Sequence, residues 1–158
     1  MKNIVTVIAL SVASSALSAQ QGIELPPGLQ AKVEAAAQLC ADFENGEFAI
    51  APGAIVRTDL DGDLKADWVL NEHYFACSSA ASLYGSTGGT LSHFMIGDHV
   101  SSLLNRGWEM RTLGRKRVLL VDLHGTQCDA YGYSPCVAAS VWDAEASTWR
   151  SAAARWEE

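Results

Sequence analysis

The chain has 158 residues and is acidic, because 18 Asp and Glu residues stand against 11 Lys and Arg residues, for a formal net charge of −7 at pH 7. A surface of this sign repels nucleic-acid phosphates and anionic lipid headgroups, so no nucleic acid is expected among its partners. The length suits one domain with a real hydrophobic core.

The first residues have the three zones of a secretory signal peptide. Lys2 gives a positive start, residues 4–17 carry no charge, and small residues precede a cleavage site that we expect after Ala19, with Ser18 as the alternative. The competing interpretation is a membrane anchor, but the apolar stretch 4–10 is shorter than the roughly 20 residues that cross a bilayer. We therefore predict a signal peptide over 1–19 and a periplasmic or secreted domain over 20–158, with no membrane span after cleavage.

The mature chain reads as one helix followed by strands. Pro26 and Pro27 suit a helix start, and apolar residues then recur at spacings of three and four until the helix ends near Phe43. The segments that favour strands are 54–58, 68–70, 90–96, 108–112, 117–123, 137–142 and 148–152. The pattern predicts a single disulfide-stabilised α+β domain, mostly antiparallel β with one N-terminal helix.

The cysteines of the mature chain are Cys40, Cys77, Cys128 and Cys136. An even number in an exported chain favours two disulfides. Of the three pairings that four cysteines allow, we favour Cys128–Cys136, because turn-forming residues fill the short stretch between them, and this leaves Cys40–Cys77. The alternative is a four-cysteine metal site, which lacks the Cys-x-x-Cys spacing that is usual for zinc.

The acidic segment 59–67, DLDGDLKAD, is the most informative stretch. It places Asp59, Asp61, Asp63 and Asp67 at positions 1, 3, 5 and 9. Calcium takes roughly six to eight hard oxygen ligands at about 2.4 Å, and such spacing can bring alternate side chains onto one ion. The backbone carbonyl of Lys65, at position 7, is a further candidate ligand. These residues predict a Ca²⁺ site.

The segment departs from an EF-hand loop at two positions. Position 12, where an EF-hand has a bidentate acid, is Leu70, and position 6 is Leu64 where Gly usually allows a positive φ, at a cost of about 1–2 kcal/mol. The nine-residue pattern resembles the short calcium loop of FG-GAP and integrin-type propeller blades, in which an Asp at position 9 precedes a strand. The competing interpretation is an Asp/Gly-rich turn held by side chain–backbone hydrogen bonds.

A second class of function, a periplasmic hydrolase, would use one of the histidines His93, His99 and His124. None of the four histidines in the chain forms a His-x-x-x-His pair, and the sequence fixes no geometry between a histidine and an acid or nucleophile. An exposed cluster of His with Asp or Ser would favour this hypothesis.

The acidic loop, Cys77 and the distal stretch Leu123-His124-Gly125…Cys128…Pro135-Cys136…Trp142-Asp143 together resemble small exported proteins of proteobacteria. The resemblance covers roughly residues 57–143 and implies export from the cytoplasm but no particular activity. The favoured hypothesis is an exported, non-enzymatic domain with a structural or protein-binding role, stabilised by a loop-bound calcium ion. Its partner would be another protein or a cell-wall component.

Overall fold

A computed structural model describes residues 24–155 of the chain. The predicted signal peptide and its cleavage site lie outside these residues. Within them, no helix has both the length and the apolar character that crossing a bilayer requires.

Helix α1 (Pro27–Asp42) begins with a proline at its first position, as the sequence predicts. The predicted apolar face is confirmed, because Leu29, Ala36 and Cys40 are buried. The chain leaves the helix through Glu44 and Asn45, which both have positive φ (53° and 54°). Asn adopts this left-handed conformation more readily than most residues, and its position explains why the helix ends here.

Eleven antiparallel strands follow the helix within residues 24–155. They are β1 (Phe48–Ile50), β2 (Ile55–Thr58), β3 (Asp67–Asn71), β4 (Phe75–Cys77), β5 (Gly85–Ser86), β6 (Gly89–Ile96), β7 (His99–Asn105), β8 (Gly107–Leu113), β9 (Lys116–Asp122), β10 (Cys136–Asp143) and β11 (Thr148–Arg155). Two 3₁₀ turns, Glu72–Tyr74 and Gly125–Cys128, lie between strands. The predicted fold class, α+β with mostly antiparallel strands, is confirmed.

The strands form three sheets. β1 pairs with β4, and β8 to β11 form a four-stranded back sheet in the order β11-β10-β9-β8. The remaining strands form a middle sheet around β6, which pairs with β3 (Val69 opposite Phe94) and with β7 (His93 opposite Ser102). β6 is therefore the strand on which the middle sheet is organised.

Two hydrophobic cores lie on opposite faces of the middle sheet, because successive side chains of a strand point to opposite sides. The helix-side core lies beneath α1 and contains Leu29, Ala36, Cys40, Ala54, Leu70, Phe75, Cys77, Tyr84 and Met95. The sheet–sheet core lies against the back sheet and contains Leu60, Val69, Phe94, Leu119, Val121 and Ala138. The molecule therefore has three layers, with the middle sheet buried on both faces.

Both predicted disulfides are confirmed. Cys40 of α1 is bonded to Cys77 of β4, with Cα atoms 5.6 Å apart, and Cys128 is bonded to Cys136 at the start of β10, with Cα atoms 5.9 Å apart. The first bond ties the helix to the strands, and the second closes a surface loop. No described cysteine is free.

The sequence pattern does not predict β1, β4, β5 or β7. The longest of these, β7, reads HVSSLLN and lacks a clean apolar alternation, because it is an edge strand with a mixture of exposed and half-buried positions. Strands β8 and β9 form a hairpin that turns at Gly114, whose φ is 62°. The predicted strands are present, with ends that differ from the prediction by at most three residues.

Candidate functional site

The acidic segment is the loop that joins β2 to β3. Its second residue, Leu60, is fully buried in the sheet–sheet core and anchors the loop from below. Arg117 of β9 donates from Nε and Nη2 to the backbone carbonyl of Asp59, at 3.0 and 2.9 Å. The loop is thus fixed to both sheets at its N-terminal end.

Arg57 of β2 fixes the other end of the loop. Its guanidinium donates to the backbone carbonyls of Ala66 and Asp67, in the latter case over 3.0 Å, and lies 3.8 Å from the centroid of the Trp68 ring. Both flanking arginines therefore bond main-chain oxygens of the loop. This arrangement leaves the carboxylates of the loop available for another cation.

Three carboxylates converge inside the loop. Asp59, Asp61 and Asp67 each present an oxygen within 4.8 Å of the other two. Oxygen ligands at about 2.4 Å from a calcium ion lie at most about 4.8 Å apart, so this spacing fits one shared ion. The set contains only hard oxygen donors, which suit calcium or magnesium better than a transition metal.

Backbone N–H groups orient the three carboxylates. Gly62 donates to Asp59 Oδ1 over 2.6 Å, Asp63 donates to Asp61 Oδ1 over 3.0 Å, and Leu60 donates to Asp67 Oδ2 over 2.9 Å. A carboxylate has about four acceptor positions, so each group keeps capacity for a metal after accepting one N–H. The contacts at Asp59 and Asp61 are also those expected of the competing interpretation, an Asp/Gly-rich turn, whereas the Leu60–Asp67 bond closes the loop over seven residues.

Asp63, the fourth predicted carboxylate, lies outside this group. Its Oδ2 accepts from Lys65 Nζ over 2.8 Å, and its Oδ1 accepts from the Lys65 backbone N–H over 2.8 Å. The Lys65 side chain lowers the pKa of Asp63, and the same contact raises the pKa of Lys65. The structure therefore separates a neutralised pair, Asp63–Lys65, from the cluster of Asp59, Asp61 and Asp67.

Asp67 differs electrostatically from the other members of the cluster. Burial raises its pKa, the Leu60 N–H bond works in the opposite direction, and the nearby charges of Asp61, Asp63 and Asp59 raise the pKa further. Ionised Asp67 is therefore disfavoured in the folded protein, and a cation beside it would relieve that cost.

The loop turns through two positive φ angles. Gly62 has a φ of 94°, and Leu64 has a φ of 68° with its side chain 91% exposed. Leu64 is the position at which the sequence already implied a strained turn, and it gains no burial in return. The positive φ of Leu64 therefore belongs to the turn of the backbone and is not stabilised by packing of the side chain.

A cleft of about 600 Å³ borders the acidic loop. Asp61, Asp63 and Asp67 line one side, and the β6–β7 turn and Trp142 of β10 line the other. His99 contacts Trp142 there, with ring centroids 5.4 Å apart. The loop thus faces an open, acidic and partly aromatic surface at one end of the two packed sheets.

The three histidines considered for hydrolysis lie in different surroundings. His99 contacts Trp142, and His124 Nδ1 lies 2.8 Å from Thr126 Oγ1. His93 is only 2% exposed and has a hydrogen-bond partner at each ring nitrogen, Ser102 and Glu72. The structure therefore does not bring these histidines together.

Sequence reasoning missed the two partners of His93. Glu72 lies in the 3₁₀ turn after β3 and Ser102 lies in β7, so strand pairing and not sequence proximity brings them to the ring. The two-residue turn Gly97-Asp98 was the available signal, since it predicts a hairpin that sets residues 93 and 102 opposite one another.

Comparison of the chain with protein families, with curated proteins and with solved structures finds no match. The function is therefore argued from the chemistry of the sites described above.

Proposed function

We propose that the protein is an exported domain that binds one calcium ion in the β2–β3 loop and holds a protein or cell-wall partner at that end of the molecule. The observation that carries the proposal is the convergence of Asp59, Asp61 and Asp67 oxygens within 4.8 Å. Three carboxylates at this spacing repel one another unless a cation lies between them.

The surroundings of the loop support a cation at this position. Arg57 and Arg117, the two nearest guanidinium groups bonded to the loop, engage its main-chain carbonyls and leave the carboxylates to other ligands. The raised pKa of Asp67, caused first by burial and then by the neighbouring carboxylates, indicates a site with unbalanced negative charge. Water, the Lys65 carbonyl or a partner's oxygen would complete the coordination that calcium needs.

Export is supported by the two disulfides, Cys40–Cys77 and Cys128–Cys136, because such bonds persist in oxidising compartments. Free calcium outside the cytosol reaches the millimolar range in which incomplete loops bind, about 10⁻⁴–10⁻³ M. The two properties therefore suit the same compartment.

A partner site is supported by the cleft beside the loop. Asp61 and Asp67 line this cleft together with Trp142, so an ion held by these carboxylates would border it. Such an ion could coordinate an oxygen atom of a partner, and the indole of Trp142 offers an apolar surface for contact. This combination suits a hydroxyl-rich or carboxylate-bearing partner.

Thermal unfolding with added calcium tests the proposal. Calcium at ten times its Kd stabilises the folded state by about 1.4 kcal/mol, which should raise the Tm of the metal-free protein by several °C. Asp61→Asn should remove most of this rise, because the ion loses the charge of one of its three carboxylates. Asp63→Asn is the matched control, because it removes the same charge from the same loop at a residue already paired with Lys65, and it should keep most of the rise.

Titration calorimetry provides the second measurement. Absence of both calcium heat and a Tm shift at about 5 mM calcium would sink the proposal for this loop. Equal loss of binding in Asp61→Asn and Asp63→Asn would show that the ion is not confined to Asp59, Asp61 and Asp67. Export is tested separately, by intact mass of protein from a periplasmic extract, which should begin at Gln20 and retain both disulfides.

A further inference from the structure

A second polar group lies apart from the acidic loop, around the buried ring of His93. Nδ1 of this ring lies 2.7 Å from Ser102 Oγ, and Nε2 lies 2.8 Å from Glu72 Oε1. The Glu72 side chain is 14% exposed, whereas Ser102 is an exposed residue of the edge strand β7. The hydroxyl of an exposed serine is thus connected through a buried imidazole to a largely buried carboxylate.

The direction of the hydrogen bonds follows from the chemistry of the groups. An ionised carboxylate only accepts, so the neutral His93 ring must carry its proton on Nε2 and donate it to Glu72. Nδ1 is then an acceptor and receives the hydroxyl hydrogen of Ser102. This is the arrangement in which an imidazole acts as a general base toward a serine. The serine faces Nδ1 here, whereas it faces Nε2 in the familiar proteases, but either nitrogen can take the proton.

The backbone N–H of Ser102 points outward from the edge of the middle sheet. The turn at Gly97-Asp98 makes a two-residue hairpin whose flanking pair, Ile96 and His99, is hydrogen-bonded, and bonded and non-bonded pairs alternate from there. His93 and Ser102 fall on a non-bonded pair, so the Ser102 N–H points away from β6. Within residues 24–155, β7 pairs with β6 alone, which leaves this N–H free to donate to a carbonyl oxygen.

An apolar surface lies beside the hydroxyl. Leu104, two residues along β7 and therefore on the same face as Ser102, is 54% exposed. Leu91 lies opposite Leu104 on β6. A short apolar acyl chain could lie on this pair while its carbonyl meets Ser102.

We propose that Ser102, His93 and Glu72 form a serine acyl-hydrolase site for small esters, separate from the calcium loop. Ser102 Oγ attacks the ester carbonyl carbon, its proton passes to His93 Nδ1, and the Ser102 N–H stabilises the resulting oxyanion. The bond to the alcohol breaks and the alcohol leaves with the proton from His93. Water then attacks the acyl-serine in the same way and releases the carboxylic acid. Glu72 is a positioning residue that holds the reactive tautomer of His93.

Labelling with a fluorophosphonate tests the nucleophile. In EGTA, the wild-type protein should displace fluoride from the probe and gain one phosphonyl adduct. Peptide mapping should locate this adduct on Ser102. Ser102→Ala should abolish the adduct, and Ser101→Ala, its neighbour on the opposite face of β7, should leave labelling unchanged. Hydrolysis of p-nitrophenyl butyrate should fall about 100-fold or more in Ser102→Ala.

The positioning role of Glu72 has its own readout. Glu72→Gln should lower the labelling rate. The ¹⁵N chemical shifts of His93 should change from those of an Nε2–H ring to those of the other tautomer. Circular dichroism should show an unchanged fold for both Ser102→Ala and Glu72→Gln. No adduct on Ser102 under conditions that label a known serine esterase would overturn the proposal. A stability loss in Ser102→Ala without any change in labelling or hydrolysis would overturn it as well, and would assign these hydrogen bonds a structural role only. Because calcium is absent throughout, the outcome is independent of the loop.

Discussion

The two cores of the molecule are fastened in different ways. In the helix-side core, the Cys40–Cys77 bond joins α1 to β4, and the Tyr84 hydroxyl donates to the Ala36 carbonyl over 2.7 Å. The sheet–sheet core contains no disulfide among the described residues and relies on apolar packing, including Phe94 against Trp108 with ring centroids 5.3 Å apart. The helix-side core therefore contains a covalent crosslink, between α1 and the β1–β4 sheet, whereas the described part of the sheet–sheet core contains none.

The unlocked core receives Leu60, which comes from the acidic loop itself. A cation bound by the loop carboxylates would therefore stabilise the loop whose Leu60 side chain packs between the two sheets. We infer that oxidation secures the helix-side core and that calcium, in the proposed function, secures the sheet–sheet core. Removal of each fastening in turn tests this difference between the two cores.

Removal of the Cys40–Cys77 bond should have the largest effect. The loop that this bond closes spans 37 residues of sequence, and the chain-entropy model gives about 4 kcal/mol for that length, against about 2.5 kcal/mol for the separation of eight in Cys128–Cys136. Cys40→Ala with Cys77→Ala should therefore lower the free energy of unfolding in urea by more than Cys128→Ala with Cys136→Ala.

The second pair of substitutions is the control for this experiment, since it removes an equal number of cysteines. Equal losses in the two double variants would contradict the assignment of Cys40–Cys77 as the principal fastening of the helix-side core. The calcium-induced rise in Tm should survive in both, because the hydrogen bonds that orient Asp59, Asp61 and Asp67 come from backbone N–H groups of the loop itself.

Leu60→Ala tests the link between the loop and the sheet–sheet core. Leu60 is fully buried, and such truncations cost about 2–5 kcal/mol. Leu64→Ala is the matched control, because it makes the same change in the same loop at a side chain that is 91% exposed, and it should alter the free energy of unfolding by less than about 0.5 kcal/mol. Similar losses from the two variants, measured by urea unfolding, would show that the loop is not anchored through Leu60.

Much of the fold could be predicted from local patterns. The spacing of Leu29, Ala36 and Cys40 predicts the helix face, and the turn residues between Cys128 and Cys136 predict that disulfide. The strands β1, β4, β5 and β7 escaped prediction, since short or edge strands have weak alternation and owe their pairing to partners that are distant in sequence.

The candidate sites show the same division. Spacing alone identified Asp59, Asp61 and Asp67, but it could not separate them from Asp63, whose pairing with Lys65 depends on the turn at Leu64. Of the two partners of His93, Ser102 follows from the local hairpin at Gly97-Asp98, whereas Glu72, 21 residues away in the chain, depends on tertiary structure.

The smallest expected effect is a pH dependence at Asp67. Its folded pKa is raised above the usual 3.8, first by burial and then by the charges of Asp61, Asp63 and Asp59. A carboxyl with a raised folded pKa destabilises the folded state when it is ionised, and this penalty disappears as the pH falls through the folded pKa toward the unfolded value. Asp67→Asn removes the charge but keeps an acceptor for the Leu60 N–H.

In calcium-free buffer at pH 7, Asp67→Asn should therefore melt at a slightly higher temperature than the wild type, and its advantage should shrink as the pH approaches about 4. The other carboxyls are common to both proteins, so their titration cancels to first order in the difference. In calcium the order should reverse, because the ion binds the ionised wild-type carboxylate more strongly than the neutral amide oxygen of Asn. An advantage that stays constant with pH would show that the substitution acts through packing. The reversal in calcium connects the electrostatics of Asp67 to the metal, and it distinguishes a loop that binds an ion from an Asp-rich turn that merely tolerates its charge.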